Sequence, residues 1–560
     1  EPTPSASPGA SMTVTEDAPA AVSAPSAPPA ATPASSGLAA ILGSGDHKVI
    51  GRLWIVASLA HLVLVGAAAL AVAVEKIDTS SVDVISTDWF AQIFAYRSIA
   101  GAFLVLLPLT IGVATAIVPL QLGAPTLAFP RAAAAAAWAY LLGGGLVVGA
   151  FAIHGGPGGT DRDGVRLFIV AFALVLVAEI VAWICIATTV IAVRVPGLSL
   201  VRTPLFAWSA LIAGAVWVFT LPILLGVVIL GYLDVRYGGS SGFFGGGNAT
   251  LYARIAWAFG TPAVYAFAIP VLGIIGSFVP VFTSTRHQQH RMAQGLIGAF
   301  GVLSVGAWAM PGFGQDAFPW LYELPWIAVS VAIVVPLLGL FGLWALTAQR
   351  GKVSLSSPLL FGLTAGVMLL VGLLAGAAQA IKPIKTLVDG PGTSLYGTTW
   401  STSVSSYVVL ATAIALLGGI VYWAPKILGR SFAEGPARGV ALGLLAGTVL
   451  WSFPDLVAGL LGQSAAAGVA PADNVSTIEA LNTASTIGGV VLALGVAGFV
   501  ALMIRAARSD ELPGDDPWGG HTLEWATSSP PPVGNFASIP EIASEAPLYD
   551  ARHRTEEGSA

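Results

Sequence analysis

Seven histidines and one cysteine are all the imidazole and thiol this 560-residue chain can offer a transition metal. Imidazole and thiolate are the side chains transition metals most often take as ligands. His287 and His290 stand at i,i+3 in Arg286-His287-Gln288-Gln289-His290-Arg291 and could bind a metal; a solvated basic loop is the preferred reading. Only His61 falls mid-way along an apolar run, and it is read as a satisfied buried histidine rather than a ligand. His47 precedes the first apolar run, His154 ends the third, and His521 and His553 lie in the C-terminal segment. Cys185 has no partner for an internal disulfide and excludes a cysteine-ligated cluster. Arg97, Glu179 and His61 are ionisable groups inside apolar runs, where charge is costly and calls for a partner. Arg97 is expected to pair with Asp455 or Glu179; the competing reading is that it snorkels to the interface.

The elements that must position these residues are membrane helices. The chain is 56% hydrophobic and 9% charged, whereas a soluble domain carries about 25% charge. Twelve apolar runs are long enough to span a bilayer: near 50–75, 92–121, 132–154, 166–193, 204–231, 253–282, 292–312, 320–347, 357–380, 402–424, 436–462 and 480–506. The small net charge of −5 gives no sign of a nucleic-acid partner. Gly-Gly-Gly-Asn at 245–248 lacks the strand-to-helix setting of a phosphate loop. Small-xxx-small spacings are frequent among 66 glycines and mean close helix packing.

Residues 1–46, rich in Pro, Ala, Ser and Thr, are expected to form a disordered tail, and no cleavable signal peptide is expected there. Residues 47–508 form the transmembrane domain, and 509–560 a polar tail without a span. An even number of spans puts both termini on one side. Loops and span ends on that side carry fourteen Lys and Arg against seven on the other. The positive-inside rule therefore makes both termini cytoplasmic, in a bacterial inner membrane.

Several segments match one family. Gly45-Asp46-His47-Lys48-Val49-Ile50-Gly51-Arg52-Leu53 resembles the approach to the first helix of haem-copper oxidase subunit I, the core of cytochrome c oxidase. Val118-Pro119-Leu120-Gln121-Leu122-Gly123-Ala124-Pro125 resembles its loop after helix two, and Leu481-Asn482-Thr483-Ala484-Ser485-Thr486 the opening of helix twelve. The most specific match is Gly514-Asp515-Asp516-Pro517-Trp518-Gly519-Gly520 with Thr522-Leu523-Glu524-Trp525-Ala526-Thr527-Ser528-Ser529-Pro530-Pro531-Pro532. The resemblance covers about 45–540. It implies an all-α twelve-helix bundle with three pseudo-symmetric pores, two holding haems and one of them also copper, through six histidines.

Those six positions hold other residues. The low-spin haem histidine of helix two corresponds to Arg97. Helix six, normally Gly-His-Pro-Glu-Val-Tyr, reads Gly260-Thr261-Pro262-Ala263-Val264-Tyr265, keeping the family's crosslinked tyrosine as Tyr265. Helix seven, normally Trp-Ala-His-His, reads Trp308-Ala309-Met310-Pro311, and His-Phe-His-Tyr of helix ten reads Val404-Ser405-Ser406-Tyr407. The haem positions are thus Arg97, Val404 and Ser406, and the copper positions Thr261, Met310 and Pro311. The propionate-holding arginines align with Ala465 and Ala466, and Leu337 and Leu340 stand where helix eight has proton-pathway residues.

The expectation drawn is a haem-free, copper-free pseudoenzyme with no catalytic residue, whose vacated pores hold repacked side chains and bound lipid. It would act as a scaffold among other membrane subunits of subunit II or III type. Two alternatives stand beside it: a working terminal oxidase with non-standard ligands, and an ion or solute transporter using a polar cluster of Arg97, Glu179, Asp455 and His61.

Overall fold

A computed structural model describes residues 43–77, 85–237, 262–306, 319–380, 395, 398–465, 474–510 and 512–557. The chain divides into Glu1–Gly43 and Ser44–Ala560. Residues 1–42, and with them most of the expected disordered tail, lie outside the described residues. Apart from one isolated β-bridge between Thr398 and Ser464, the regular structure of the described residues is helical, as a bilayer demands, because a helix satisfies its own backbone N–H and C=O groups.

The spanning helices are α1 (His47–Glu75), α2 (Asp88–Gln121), α3 (Pro130–Ala152), α4 (Arg162–Ala192), α5 (Leu205–Tyr237) and α6 (Tyr265–Phe282). After α7 (His290–Gly306) come α8 (Ile327–Gln349), α9 (Ser357–Ala380), α10 (Thr399–Ile427), α11 (Glu434–Leu460) and α12 (Val475–Arg508). Among the described residues eleven helices are long and apolar enough to cross a membrane; α7 is described for only 17 residues and stops where the described residues stop. The expected spans 253–282 and 292–312 therefore lie partly outside the described residues.

Burial separates inner from outer helices. The most apolar stretch of α2 is 100% buried, that of α6 94% and that of α10 72%; those of α1 and α12 are 22% buried. So α2, α6 and α10 form the interior, and α1 and α12 face outward. Glycines allow the close crossings. A Cβ on Gly112 of α2 would sit 2.8 Å from Ile55 Cγ1 and 2.9 Å from Ile55 N of α1. One on Gly488 of α12 would sit 2.3 Å from Trp451 N of α11.

Within α2 the turn Gly101–Leu106 is π-helical, and Pro108 follows it without an N–H to give. The wider turn presents the Leu104 carbonyl to a neighbour: Tyr140 Oη of α3 donates to it at 2.6 Å.

The polar tail is folded across one end of the bundle. Glu524 is buried and its Oε1 accepts from Gln121 Nε2 at 3.0 Å and Trp423 Nε1 at 3.2 Å. Trp525 Nε1 donates to Tyr422 Oη at 3.1 Å. Asn535 is fully buried; its Oδ1 accepts from Lys48 Nζ and His47 Nε2, each at 3.0 Å, and its Nδ2 donates to Ala124 O at 2.7 Å. Arg286, after α6, pairs with Glu545 at 2.9 Å and Asp550 at 3.5 Å, the latter on the short helix α13 (Pro547–Glu557). The tail thus ties together the start of α1 and the ends of α2, α6 and α10.

Candidate functional site

A cavity of about 30 Å3 lies at the opposite end, where α1 ends among α2, α10, α11 and α12. That is room for one or two waters. Lys76, Arg97 and Asp455 bring charge to it, and Ser406, Asn482 and Trp451 are among the other residues lining it.

Lys76 caps α1, its N–H donating to Val72 O at 3.2 Å. Its carbonyl accepts from Asn482 Nδ2 at 2.7 Å, so α12 fixes the end of α1. Thr486 Oγ1 donates to Ala73 O at 3.0 Å, and Ser485 Oγ to Trp451 O at 2.8 Å, joining α12 to α1 and α11. Ser406 Oγ donates to Thr402 O at 2.9 Å and Thr402 Oγ1 to Thr399 O at 2.8 Å. The hydroxyls of Thr402, Ser406 and Thr486 donate to main-chain carbonyls. The charged N–H donors of the cavity are those of Lys76 and Arg97.

The charges are Lys76 and Arg97 against Asp455. Asp455 feels Lys76 first among charges and Arg97 second, and Asp455 is the charge that acts on Arg97. Among the described residues no ion pair within 4.0 Å joins Arg97 or Lys76 to a carboxylate. The Arg97 guanidinium instead lies over the Phe94 ring, 4.9 Å from its centroid. Arg97 and Asp455 therefore share a cavity without the direct contact expected of them.

The structure does not bring Glu179 and His61 to this cavity. They gather around Tyr140: the His61 ring is 6.2 Å from the Tyr140 ring, and the Glu179 charge acts on Tyr140. Glu179 is fully buried, with neither carboxylate oxygen hydrogen-bonded among the described residues. His61 Nδ1 likewise has no partner there, so this histidine is not the satisfied one expected.

Tyr265 and Val404 meet at a second place. A Cβ on Gly376 of α9 would sit 2.2 Å from Tyr265 Oη and 3.4 Å from Val404 Cγ1. Side chains fill this position. Thr261, Met310 and Pro311 lie outside the described residues.

The loop holding His287 and His290 is not solvated as expected. His287 is buried, and burial, with His290 adding to it, pushes its pKa down to about 4. The two rings are 6.0 Å apart and His290 Nε2 is taken up by Thr203 O at 3.0 Å. Among the described residues no group of three or more His, Cys, Asp or Glu could hold a metal. The residue that sequence reasoning missed is Lys76. The signal for it was a lysine at the very end of the first apolar run.

An all-helical bundle of this kind, with three inner helices, defines a multi-pass membrane protein. Residues 49–491 match the family model described as Cytochrome C and Quinol oxidase polypeptide I, and the chain belongs to that family. The chain is 31% identical to a "Putative cytochrome c oxidase subunit 1-beta" of Streptomyces avermitilis, over 93% of each chain. It is 28% identical to a cytochrome c oxidase subunit 1 of Corynebacterium efficiens, over 91% of this chain and 88% of that one. A solved structure of a haem-copper terminal oxidase dimer superposes with a TM-score of 0.66 at 15% identity, over 84% of each chain, and shows the same fold. The bundle is that of haem-copper oxidase subunit I.

These comparisons correct the expectation of a chain without cofactors. Relatives named as cytochrome c oxidases and a haem-copper oxidase fold point to haem and copper. At the described haem positions, the residues do not fit haem in the histidine-ligated manner. A guanidinium such as that of Arg97 has no lone pair to donate. Val404 has no donor atom at all.

Proposed function

We propose that this chain is a structural subunit of a membrane oxidase complex that does not itself reduce oxygen through a histidine-ligated centre. One observation carries the reading. The inner helices α2, α6 and α10, as far as they are described, contain no histidine, and the one mid-membrane histidine, His61, is on the outer helix α1. The preserved parts are the tail and the loop after α2, which hold the fold together through Glu524, Gln121 and Asn535. The chain lies in the bacterial plasma membrane with both termini cytoplasmic, and packs beside further membrane subunits of subunit II or III type.

A second reading is favoured by the relatives' names: a terminal oxidase passing electrons from cytochrome c to oxygen with donors other than histidine. Oxygen uptake separates the two. The full chain, purified without a second subunit I, is supplied with reduced cytochrome c and then with a quinol. The scaffold reading predicts no cyanide-sensitive uptake; sustained uptake establishes the oxidase reading. The transporter reading rests on two polar groups, the half-buried one around Lys76 and the one around Tyr140.

A further inference from the structure

The cavity at the end of α1 is out of electrostatic balance. Among the described residues that line it, two cations, Lys76 and Arg97, face one carboxylate, Asp455, leaving one net positive charge. Neither cation has a hydrogen bond to, or an ion pair with, a described residue. Their N–H groups have the fixed forks and points that bind anions. The other described carboxylate at the end of α1, Glu75, does not line the cavity; its Oε2 accepts from Ile85 N at 3.0 Å.

We propose that this cavity binds a small monovalent anion of halide size, bridging the Lys76 ammonium and the Arg97 guanidinium. Charge and size select the class. One added negative charge brings the cluster to neutrality, which relieves the cost of an uncompensated charge in a low-dielectric setting. Water would fill the space and accept the N–H groups but leave the charge. The volume of about 30 Å3 admits one halide or a water or two, and a tetrahedral dianion would overshoot the charge. Asp455 sets the strength: it holds the two cations together and weakens the anion's attraction to them. The site does not depend on whether the chain takes part in oxygen chemistry.

The test is thermal stability of the full chain in detergent, at constant sodium and constant ionic strength, with gluconate replaced stepwise by chloride or bromide. The expected result is a saturable rise in midpoint with either halide, and none with sulfate. In R97Q and in K76M the halide response is lost. In D455N the half-saturating concentration falls by about tenfold or more, because a repelling charge a few ångströms away has been removed. A wild-type response that is absent or does not saturate overturns the proposal. So does a D455N chain that folds, by gel filtration and helical circular dichroism, yet binds halide more weakly than wild type. Should R97Q or K76M fail to fold, the wild-type and D455N titrations decide alone.

Discussion

Asn535 is where the tail is most tightly keyed to the bundle, and replacing it should release the whole segment. Its side chain takes part in three hydrogen bonds: with Lys48 and His47 at 3.0 Å each and with Ala124 O at 2.7 Å. All lie at a position with no solvent exposure. A typical buried bond contributes about 1 kcal/mol net, and an orphaned buried partner costs about 1–3 kcal/mol. Lys48 keeps Asp46 at 2.9 Å and Pro532 O at 3.2 Å, so the orphans are the His47 nitrogen and the Ala124 carbonyl. Asn535→Ala should then cost about 3–6 kcal/mol from the side chain alone. The backbone adds to this. Asn535 has φ of 70°, in the left-handed region, where alanine costs about 1 kcal/mol more than glycine. Asn535→Gly should therefore be the milder variant by about that amount. The assay is hydrogen exchange of residues 512–557 in the detergent-solubilised chain. At about 1.4 kcal/mol per factor of ten, both variants should lose at least about a hundredfold of protection, with N535G some fivefold less affected than N535A. Protection within threefold of wild type would refute the account of the tail, and N535G faring worse than N535A would refute the backbone part.

Acid should loosen the same segment. Burial, with the charges of Arg552 and His553 adding to it, pushes the His521 pKa down to about 3, and that of His287 lies near 4. Both are neutral when docked, so stability is fully present above the free-imidazole value of about 6.5 and falls as pH drops below it. Exchange protection of the tail, corrected for intrinsic rates, should decline between pH 7 and pH 5, and less so in H521N; a flat profile contradicts this. Gly112→Ala places a methyl 2.8 Å from Ile55 Cγ1 and should destabilise by about 1–3 kcal/mol. Gly145→Ala, with nothing within 4 Å, should not lower the thermal midpoint and should raise it slightly. A reporter active only outside the cytoplasm, fused after residue 560, should stay inactive, and one inserted at 240 should be active.

Much of the fold was legible because a bilayer imposes a length and a composition on each helix. The third run, read as 132–154, is α3 at Pro130–Ala152, and the eleventh, read as 436–462, is α11 at Glu434–Leu460. The role of the tail was not legible. Its polarity excluded a span, but its docking rests on side chains meeting carbonyls hundreds of residues away, as Asn535 meets Ala124. Polarity also misled at His287 and His290: a basic loop reads as solvated until Glu545 of the tail is found on Arg286 beside it. For Arg97, sequence named Asp455 as a neighbour but not Lys76, because a lysine at a helix end ordinarily faces the interface. Glu179 and His61 could be seen as buried, but which helix faces meet around Tyr140 depends on packing that no single helix records.

Oxygen uptake by the purified full chain decides whether this subunit I fold carries histidine-ligated oxygen reduction. With reduced cytochrome c or a quinol as donor, the account predicts uptake at the background of a preparation from which the chain has been removed. Cyanide-sensitive uptake that follows the amount of chain added would contradict it.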